Sequence, residues 1–511
     1  METSDLLLAL LGTPPADPAP LPDVMRGEAR MLIDGRLVMA IDGRLMSNVN
    51  PSDGTVIGQV ADATIADAAL AVDAARRAFD HTAWSTDVEL RRRSLRQLRD
   101  ALQDNADEFR AALIAEIGCA RRMTYADQYD YAVSKLGFFD EVLEHFEWSR
   151  SLPADTFPDA QVTKRVDKVA LGVVVAITPW NLPLELILAK VGGALAAGCT
   201  MVIKPSPLAP WAGTILGRII AESTEIPAGV VNVVTSSDVE VAAYLTRAPG
   251  VDAVAFTGST QTGKAVMAAA ADGLKRVSLE LGGKSACIVL DDADIAAVLP
   301  VIAGMACFNA GQSCIMPSRI LVPRSTYDDA VTAAASGIEA VRVGDPRAFD
   351  TFMGPLISEQ QRTRVETMLE QATAQGGEIV VGGGRPQELA SGFFMAPTLV
   401  ARQPLDARLL HEEVFGPVVS IVPYDDVDDA VSIANSTEFG LAGYVWSGSP
   451  ERAADVAVRL RAGMLGVNGG MFTSADMPFG GMKSSGMGRE WGVEGLEEFL
   501  DTRTLAVRLP A

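Results

Sequence analysis

Histidine is scarce. The chain of 511 residues has 3, at His81, His145 and His411. That leaves few candidates for histidine catalysis, and no His/Cys cluster has the spacing of a metal site, so no metal is expected. Cysteine is little used as well. Cys119, Cys199, Cys287, Cys307 and Cys314 are odd in number and scattered, which excludes a simple disulfide framework. It fits a reducing compartment, so a cytoplasmic location is expected. Positive charge is in deficit: 43 Lys and Arg stand against 65 Asp and Glu, for a net charge of −22. So acidic a surface argues against nucleic acid, because phosphate binding needs concentrated positive charge. Long hydrophobic runs are missing too. The best candidate span, 187–203, is broken by Lys190 and by Gly192, Gly193 and Gly198, so no membrane partner is expected. Glu2 and Asp5 stand where a signal peptide would need basic residues.

What is present is a globular composition, with 48% hydrophobic and 21% charged residues. At roughly 150 residues per domain the length suggests two to four domains. Residues 1–30 read as a poorly ordered leader, Pro/Ala-rich from Thr13 to Asp23. Ile65, Val72 and Phe79 recur at a helical period after a possible cap at Thr64. Leu95, Leu98 and Leu102 mark a second helix, whose Arg91-Arg92-Arg93 run reads as a solvated face. From Val169 the pattern alternates. Apolar, β-branched strands are expected at 173–177, 201–203, 230–234, 252–256 and 277–281, with helices at 183–197, 209–223 and 260–271 between them. This is a mainly parallel, doubly wound α/β sheet, which binds ligands beyond the carboxyl ends of its strands. A second α/β unit follows from about 284, with strands at 320–322, 418–422 and 465–467 and helices at 358–375 and 427–434. The tail, 501–509, alternates like a strand.

Two residues stand out chemically. Cys314 closes the small-residue loop Asn309-Ala310-Gly311-Gln312-Ser313, where Gly311 admits a close backbone approach and a nearby N–H could stabilise a thiolate. A buried structural thiol is the alternative, and Cys119, Cys199 and Cys287 fit it. Glu280 ends an apolar strand before Gly282-Gly283. It is either a partnered ion or a general base raised by apolar surroundings. Gly258 to Lys264 nearly matches a phosphate-binding loop, but residue 265 is Ala, so the Mg²⁺-holding hydroxyl is missing. A nucleotide hydrolase is therefore disfavoured. A helix start suited to a phosphate or pyrophosphate remains.

The ordered motifs Thr178-Pro179-Trp180-Asn181-Leu182-Pro183, Lys204-Pro205-Ser206, Phe256-Thr257-Gly258-Ser259, Leu279-Glu280-Leu281-Gly282-Gly283-Lys284, Gly311-Gln312-Ser313-Cys314, Glu412-Glu413-Val414-Phe415-Gly416-Pro417 and Pro478-Phe479-Gly480-Gly481-Met482-Lys483-Ser484-Ser485-Gly486 resemble the aldehyde dehydrogenase superfamily, in its hydrolytic NAD(P)-dependent branch. The resemblance runs from about Met31 to the tail, with Glu280 and Cys314 separated by 34 positions as in the family. It implies a Rossmann-like cofactor domain (31–151 and 171–282), an α/β catalytic domain (283–482) and a small β oligomerisation arm (152–170 and 498–511), hence a homodimer or homotetramer.

Mechanistically, the resemblance implies that Cys314 attacks the aldehyde and that Asn181 with the Cys314 N–H stabilises the oxyanion. Hydride loss leaves a thioester, which Glu280 hydrolyses through water. Lys190 has a supporting role. Thr178, Pro179, Trp180, Lys204, Ser206, Pro207, Gly258, Ser259, Gly282, Glu413 and Phe415 would bind the cofactor. NAD is favoured, but Pro207 stands where NAD-preferring members often carry glutamate, so NADP stays open. Leu182, Leu186, Ala189, Ser313, Ile315, Met471, Phe472 and Phe479 would surround the aldehyde. These are mostly apolar and offer no Arg or Lys clamp, which points to a hydrophobic or aromatic aldehyde. A non-catalytic relative is the competing reading, and the intact Cys314, Glu280 and Asn181 argue against it.

Overall fold

The computed structural model describes residues 2–22, 27–157 and 160–510. Met1 and 23–26 of the expected leader, 158–159 of the arm and Ala511 of the tail lie outside the described residues.

The first large sheet has eight strands. Its centre is parallel, in the order Arg276–Glu280, Ala253–Thr257, Val173–Ile177, Thr200–Lys204, Val231–Val233. Val173 to Ala176 and all of Thr200–Lys204 are buried, as runs without alternation require when helices cover both faces. Antiparallel edges close the sheet: Gly486–Met487 on one side, Met31–Ile33 and Arg36–Val38 on the other. The crossover helices fall where the sequence places them. Pro183–Ala197 begins with proline at its first turn and ends at left-handed Gly198 (φ 93°). Ser259 caps Thr260–Ala271 by accepting from the Thr262 N–H.

The second sheet has seven strands, parallel except at its Glu378–Val381 edge, with Ala286–Val289 and Arg319–Pro323 near the centre. A three-stranded arm pairs Ser149–Phe157 with Ala160–Ala170 and that strand with Leu500–Arg508. The α/β class and the parallel sheets are those expected. Among the described residues no helix is long and apolar enough to cross a membrane.

Three expectations are corrected. The leader is not all loose: Thr3–Leu10 is a helix packed on the Ile295–Met305 helix, with Leu7 against Gly304, and Leu7, Leu8 and the following Leu11 are buried. Those three leucines carry enough apolar surface to dock a short segment that composition alone marks as loose. The Ile65–His81 helix has the predicted Thr64 cap, but Ile65 is exposed, and the buried face is mostly alanine: Ala68, Ala71, Ala75 and Ala78 with Val72. The Arg91–Arg93 run is a solvated face only at Arg93, which is exposed. Arg91 is buried, donates to the Trp84 and Ser85 carbonyls and lies over the Trp148 ring, 4.9 Å from its centroid. Arg92 bonds Asp140 and Glu144 of the neighbouring helix.

Candidate active site

The carboxyl ends of the first sheet's strands and the loop holding Cys314 meet in one cleft of about 1080 Å³. The Cys314 loop is shaped by consecutive left-handed residues, Asn309 (φ 51°), Ala310 (φ 56°) and Gly311 (φ 68°). Gly311 is required there: a Cβ would lie 2.0 Å from the Gly416 carbonyl oxygen. The Gly282-Gly283 turn crosses the same loop, and a Cβ on Gly283 would come within 2.3 Å of the Cys314 carbonyl. The other four cysteines are buried, whereas Cys314 is partly exposed and lines the cleft. Burial raises its thiol pKa above the ordinary value, and the carboxylates of Glu413, Glu280 and Glu490 add to this.

Asn181 follows the Val173–Ile177 strand and also lines the cleft. Its Nδ2 donates to the Gln312 carbonyl at 3.0 Å, which leaves a second N–H on that amide. Its backbone carbonyl accepts from Gln128 Nε2 and Asn309 Nδ2, each at 2.9 Å. Gln312 Oε1 accepts from the Ile357 N–H at 2.9 Å. These amides fix Asn181 relative to Cys314.

Glu280 is 3% exposed, and neither carboxylate oxygen has a hydrogen-bond partner. Burial and then Glu490 hold its pKa well above the carboxylate range, against the opposing pull of Lys190 and Arg489. Gly480 lies against it, since a Cβ there would be 2.8 Å from Glu280 Oε1. Behind Glu280, Lys190 Nζ donates to Thr257 Oγ1 at 2.6 Å and pairs with Glu490 Oε1.

The cofactor-side residues gather next to this. Pro179, Trp180, Gly258, Ser259, Gly282, Glu413 and Phe415 line the cleft. Glu413 Oε1 accepts from the Gly283 N–H at 2.9 Å, and burial raises its pKa. The Trp180 and Phe415 rings meet edge to face at 5.4 Å. Thr178, Lys204, Ser206 and Pro207, also expected on the cofactor side, do not line the cleft; they stand at or just after the ends of the Val173–Ile177 and Thr200–Lys204 strands. Thr178 Oγ1 is buried without a partner. Burial lowers Lys204 to about 8, with Asp62 opposing. Pro207 is partly exposed. Lys264, the apparent phosphate-loop lysine, is exposed and lies 3.9 Å from Glu438, away from the cleft.

Of the aldehyde-side residues, Leu182, Leu186, Ser313, Ile315, Met471 and Phe479 line the cleft. Two do not. Ala189 is buried inside the core on a helix whose every side is covered, so apolar spacing could not reveal which face meets the cleft. Phe472 is buried against Tyr444, with ring centroids 5.6 Å apart, while its neighbour Met471 is exposed at the cleft.

Sequence reasoning passed over Gln128, Gln361, Lys135, Arg364 and Glu490, and gave Asn309 no role beyond its place in the Cys314 loop. Gln361 Nε2 donates to the Val414 and Phe415 carbonyls and so holds the Glu413 loop. Lys135 and Arg364 put positive charge on the cleft wall, but each is engaged. Lys135 pairs with Glu185 at 2.6 Å, and Arg364 donates to the Glu413 carbonyl at 2.8 Å. Among the described residues no group of three or more His, Cys, Asp or Glu could hold a metal ion.

The chain as a whole is similar to known proteins. The aldehyde dehydrogenase family matches residues 38–505. The 3-succinoylsemialdehyde-pyridine dehydrogenase of a Pseudomonas species is 42% identical, over 94% of this chain and 99% of its own. A mutant of aldehyde dehydrogenase C from Pseudomonas syringae, solved with NAD+ and octanal, superposes with a TM-score of 0.89 at 35% identity, over 95% of this chain and 98% of that one. Betaine aldehyde dehydrogenase from Staphylococcus aureus, solved with NAD+, gives 0.90 at 34% identity, over 94% of this chain and 95% of that one.

Proposed function

The chain belongs to the aldehyde dehydrogenase family, and on that premise we propose that it oxidises a hydrophobic or aromatic aldehyde to its carboxylic acid with NAD+, through a thiohemiacetal and a thioester on Cys314. The observation that carries this reading is the shared cleft of Cys314, Asn181 and Glu280.

The donor set fits a nicotinamide dinucleotide. Thr178 Oγ1 is buried and unpaired, Ser259 starts an exposed helix end, and Gly282 leaves room at Glu413 that a Cβ would fill at 2.4 Å. In this reading Lys204, Ser206 and Pro207 hold the adenosine, Gly258 and Ser259 the pyrophosphate, and Glu413 with Phe415 the nicotinamide riboside. Pro207 sets no carboxylate against a 2′-phosphate, so NADP+ is the acceptor to test beside NAD+. Residues 31–151 with 171–282 serve the cofactor and 283–482 the nucleophile.

Cys314 Sγ bonds to the aldehyde carbon as its proton passes to Glu280, which gives it up to solvent before the hydrolytic step. The second Asn181 N–H and the Cys314 N–H take up the charge that develops on the aldehyde oxygen. Loss of one such donor typically costs ~10²–10³ in rate. When bound, the nicotinamide supplies the hydride acceptor. Glu280 then removes a proton from water, whose oxygen attacks the thioester carbon, and the acid leaves as Sγ recovers its proton. A carboxylate without hydrogen-bond partners and with a raised pKa is a stronger base than one in water. The charges of Lys190 and Glu490 act on Glu280 in opposite senses, Lys190 favouring its carboxylate and Glu490 its protonated form.

A chemically varied aldehyde panel with NAD+ and with NADP+, followed by reduced-cofactor absorbance, tests the reading. Turnover of apolar or aromatic aldehydes is expected, with Cys314→Ala inactive but still stabilised against heating by the cofactor. Substantial turnover by Cys314→Ala would remove the covalent route.

A further inference from the structure

The Thr3–Leu10 helix takes no part in the chemistry above, and it precedes residue 38, where the family match begins. Its leucines serve two ends. Leu7, Leu8 and Leu11 are buried, and Leu7 fills the space beside Gly304, where a Cβ would lie 2.5 Å from its Cδ1. Leu10 is 48% exposed. Together with Ala9, Gly12 and Thr13, it lines the same cleft as Cys314.

The segment is held in that position from several sides. Arg342 Nη2 donates to Ser4 Oγ at 3.4 Å and lies 3.8 Å from Asp5. Arg122 Nη1 donates to the Gly12 carbonyl at 3.4 Å, and Arg347 Nη2 to the Pro22 carbonyl at 3.0 Å. Gly12 itself turns at φ 125°, and a Cβ there would stand 2.7 Å from the Arg122 carbonyl oxygen. The turn brings Gly12 and Thr13 onto the cleft wall. Met305, Phe308 and Tyr131 line the cleft as well, so apolar and aromatic surface runs from the nucleophile to the helix.

We propose that this N-terminal helix forms the outer wall of the aldehyde cleft and selects for aldehydes with an extended apolar body. Leu10 packs on the part of the substrate remote from the carbonyl. The proposal rests on reading Cys314 as the nucleophile towards aldehydes. With the carbonyl held at Cys314, contact with Leu10 on the same cleft falls to the end of the substrate remote from the carbonyl and so grows with its length. Each methylene removed from water is worth about fourfold in kcat/KM, so the helix makes its contribution through chain length.

The test is the ratio of kcat/KM for octanal to that for propanal in wild type, Leu10→Asp, and a chain lacking residues 2–14. Leu10→Asp should lower the ratio about fivefold or more, because a carboxylate then faces the hydrocarbon. The truncated chain should lower it in the same direction. Since Leu10 is half exposed, Leu10→Asp decides the matter even if the truncated chain does not fold. An unchanged ratio in Leu10→Asp, including an equal loss for both aldehydes, would overturn the proposal. A wild type that oxidises no member of the aldehyde panel would instead overturn the aldehyde reading, whereas one that oxidises aromatic aldehydes but not octanal would overturn this proposal alone.

Discussion

Glu280 has both carboxylate oxygens buried without a hydrogen-bond donor, and such a site favours the protonated form. Its pKa and that of Cys314 are both raised. The sign for activity follows. Below its raised pKa each group keeps its proton, so Glu280 is no base and Cys314 no thiolate, and turnover climbs as pH rises through those values. A profile of kcat across roughly pH 5 to 10 should therefore rise well above the ordinary carboxylate range. Glu280→Gln should lose the limb that belongs to the carboxyl. A wild-type profile flat across that range would deny both groups their roles. At this scale the sequence was readable where a motif was continuous, as for Cys314, Glu280 and Asn181. It was silent where partners lie far apart. Glu490 meets Lys190 across 300 positions, and Gln128 meets Asn309 across 181. Polar residues with such distant partners resemble any surface residue when read along the chain.

Elements were the most legible level, because proline, glycine and caps punctuate them. Pro183–Ala197 and Thr260–Ala271 match their expected bounds. The Val239–Arg247 helix went unread, and so did Ile295–Met305, whose buried Pro300 sits inside it. An internal proline argues for a helix end, which masked that helix. The turn after Thr200–Lys204 carries the cofactor prediction. Pro207 is partly exposed there, one residue beyond buried Ser206. Pro207→Glu should shift preference towards NAD+, as the new carboxylate accepts from ribose hydroxyls and repels a 2′-phosphate. A repulsion of about 1.4 kcal/mol is tenfold in preference. The quantity to compare is the ratio of kcat/KM for NAD+ to that for NADP+, wild type against mutant. An unchanged ratio would mean that residue 207 does not face the ribose.

For the whole molecule, the arm leaves an edge. Among the described residues Leu500–Arg508 pairs on one side only, and Leu505, Val507 and Leu509 are 41%, 44% and 37% exposed on one face of that region. Apolar side chains along an open edge strand invite pairing with another chain. The pair Leu505→Glu and Val507→Glu should lower the mass measured by light scattering from an oligomer towards the monomer, without unfolding the two large sheets. A wild-type monomer would exclude the arm from assembly. The arm was readable as a tail and a hairpin. That the two form one arm came from the family resemblance, while the register that sets Leu500 against Ala170, 300 or more residues away, was not readable along the chain. The central claim is that Cys314 carries the acyl group that Glu280 releases. Intact-mass and peptide mass spectrometry of Glu280→Gln, mixed with octanal and NAD+, tests it most directly. The account predicts a mass gain of one octanoyl group on the peptide containing Cys314, formed together with reduced cofactor and absent from Cys314→Ala. Reduced cofactor without an acyl adduct, or an adduct on another residue, would contradict it.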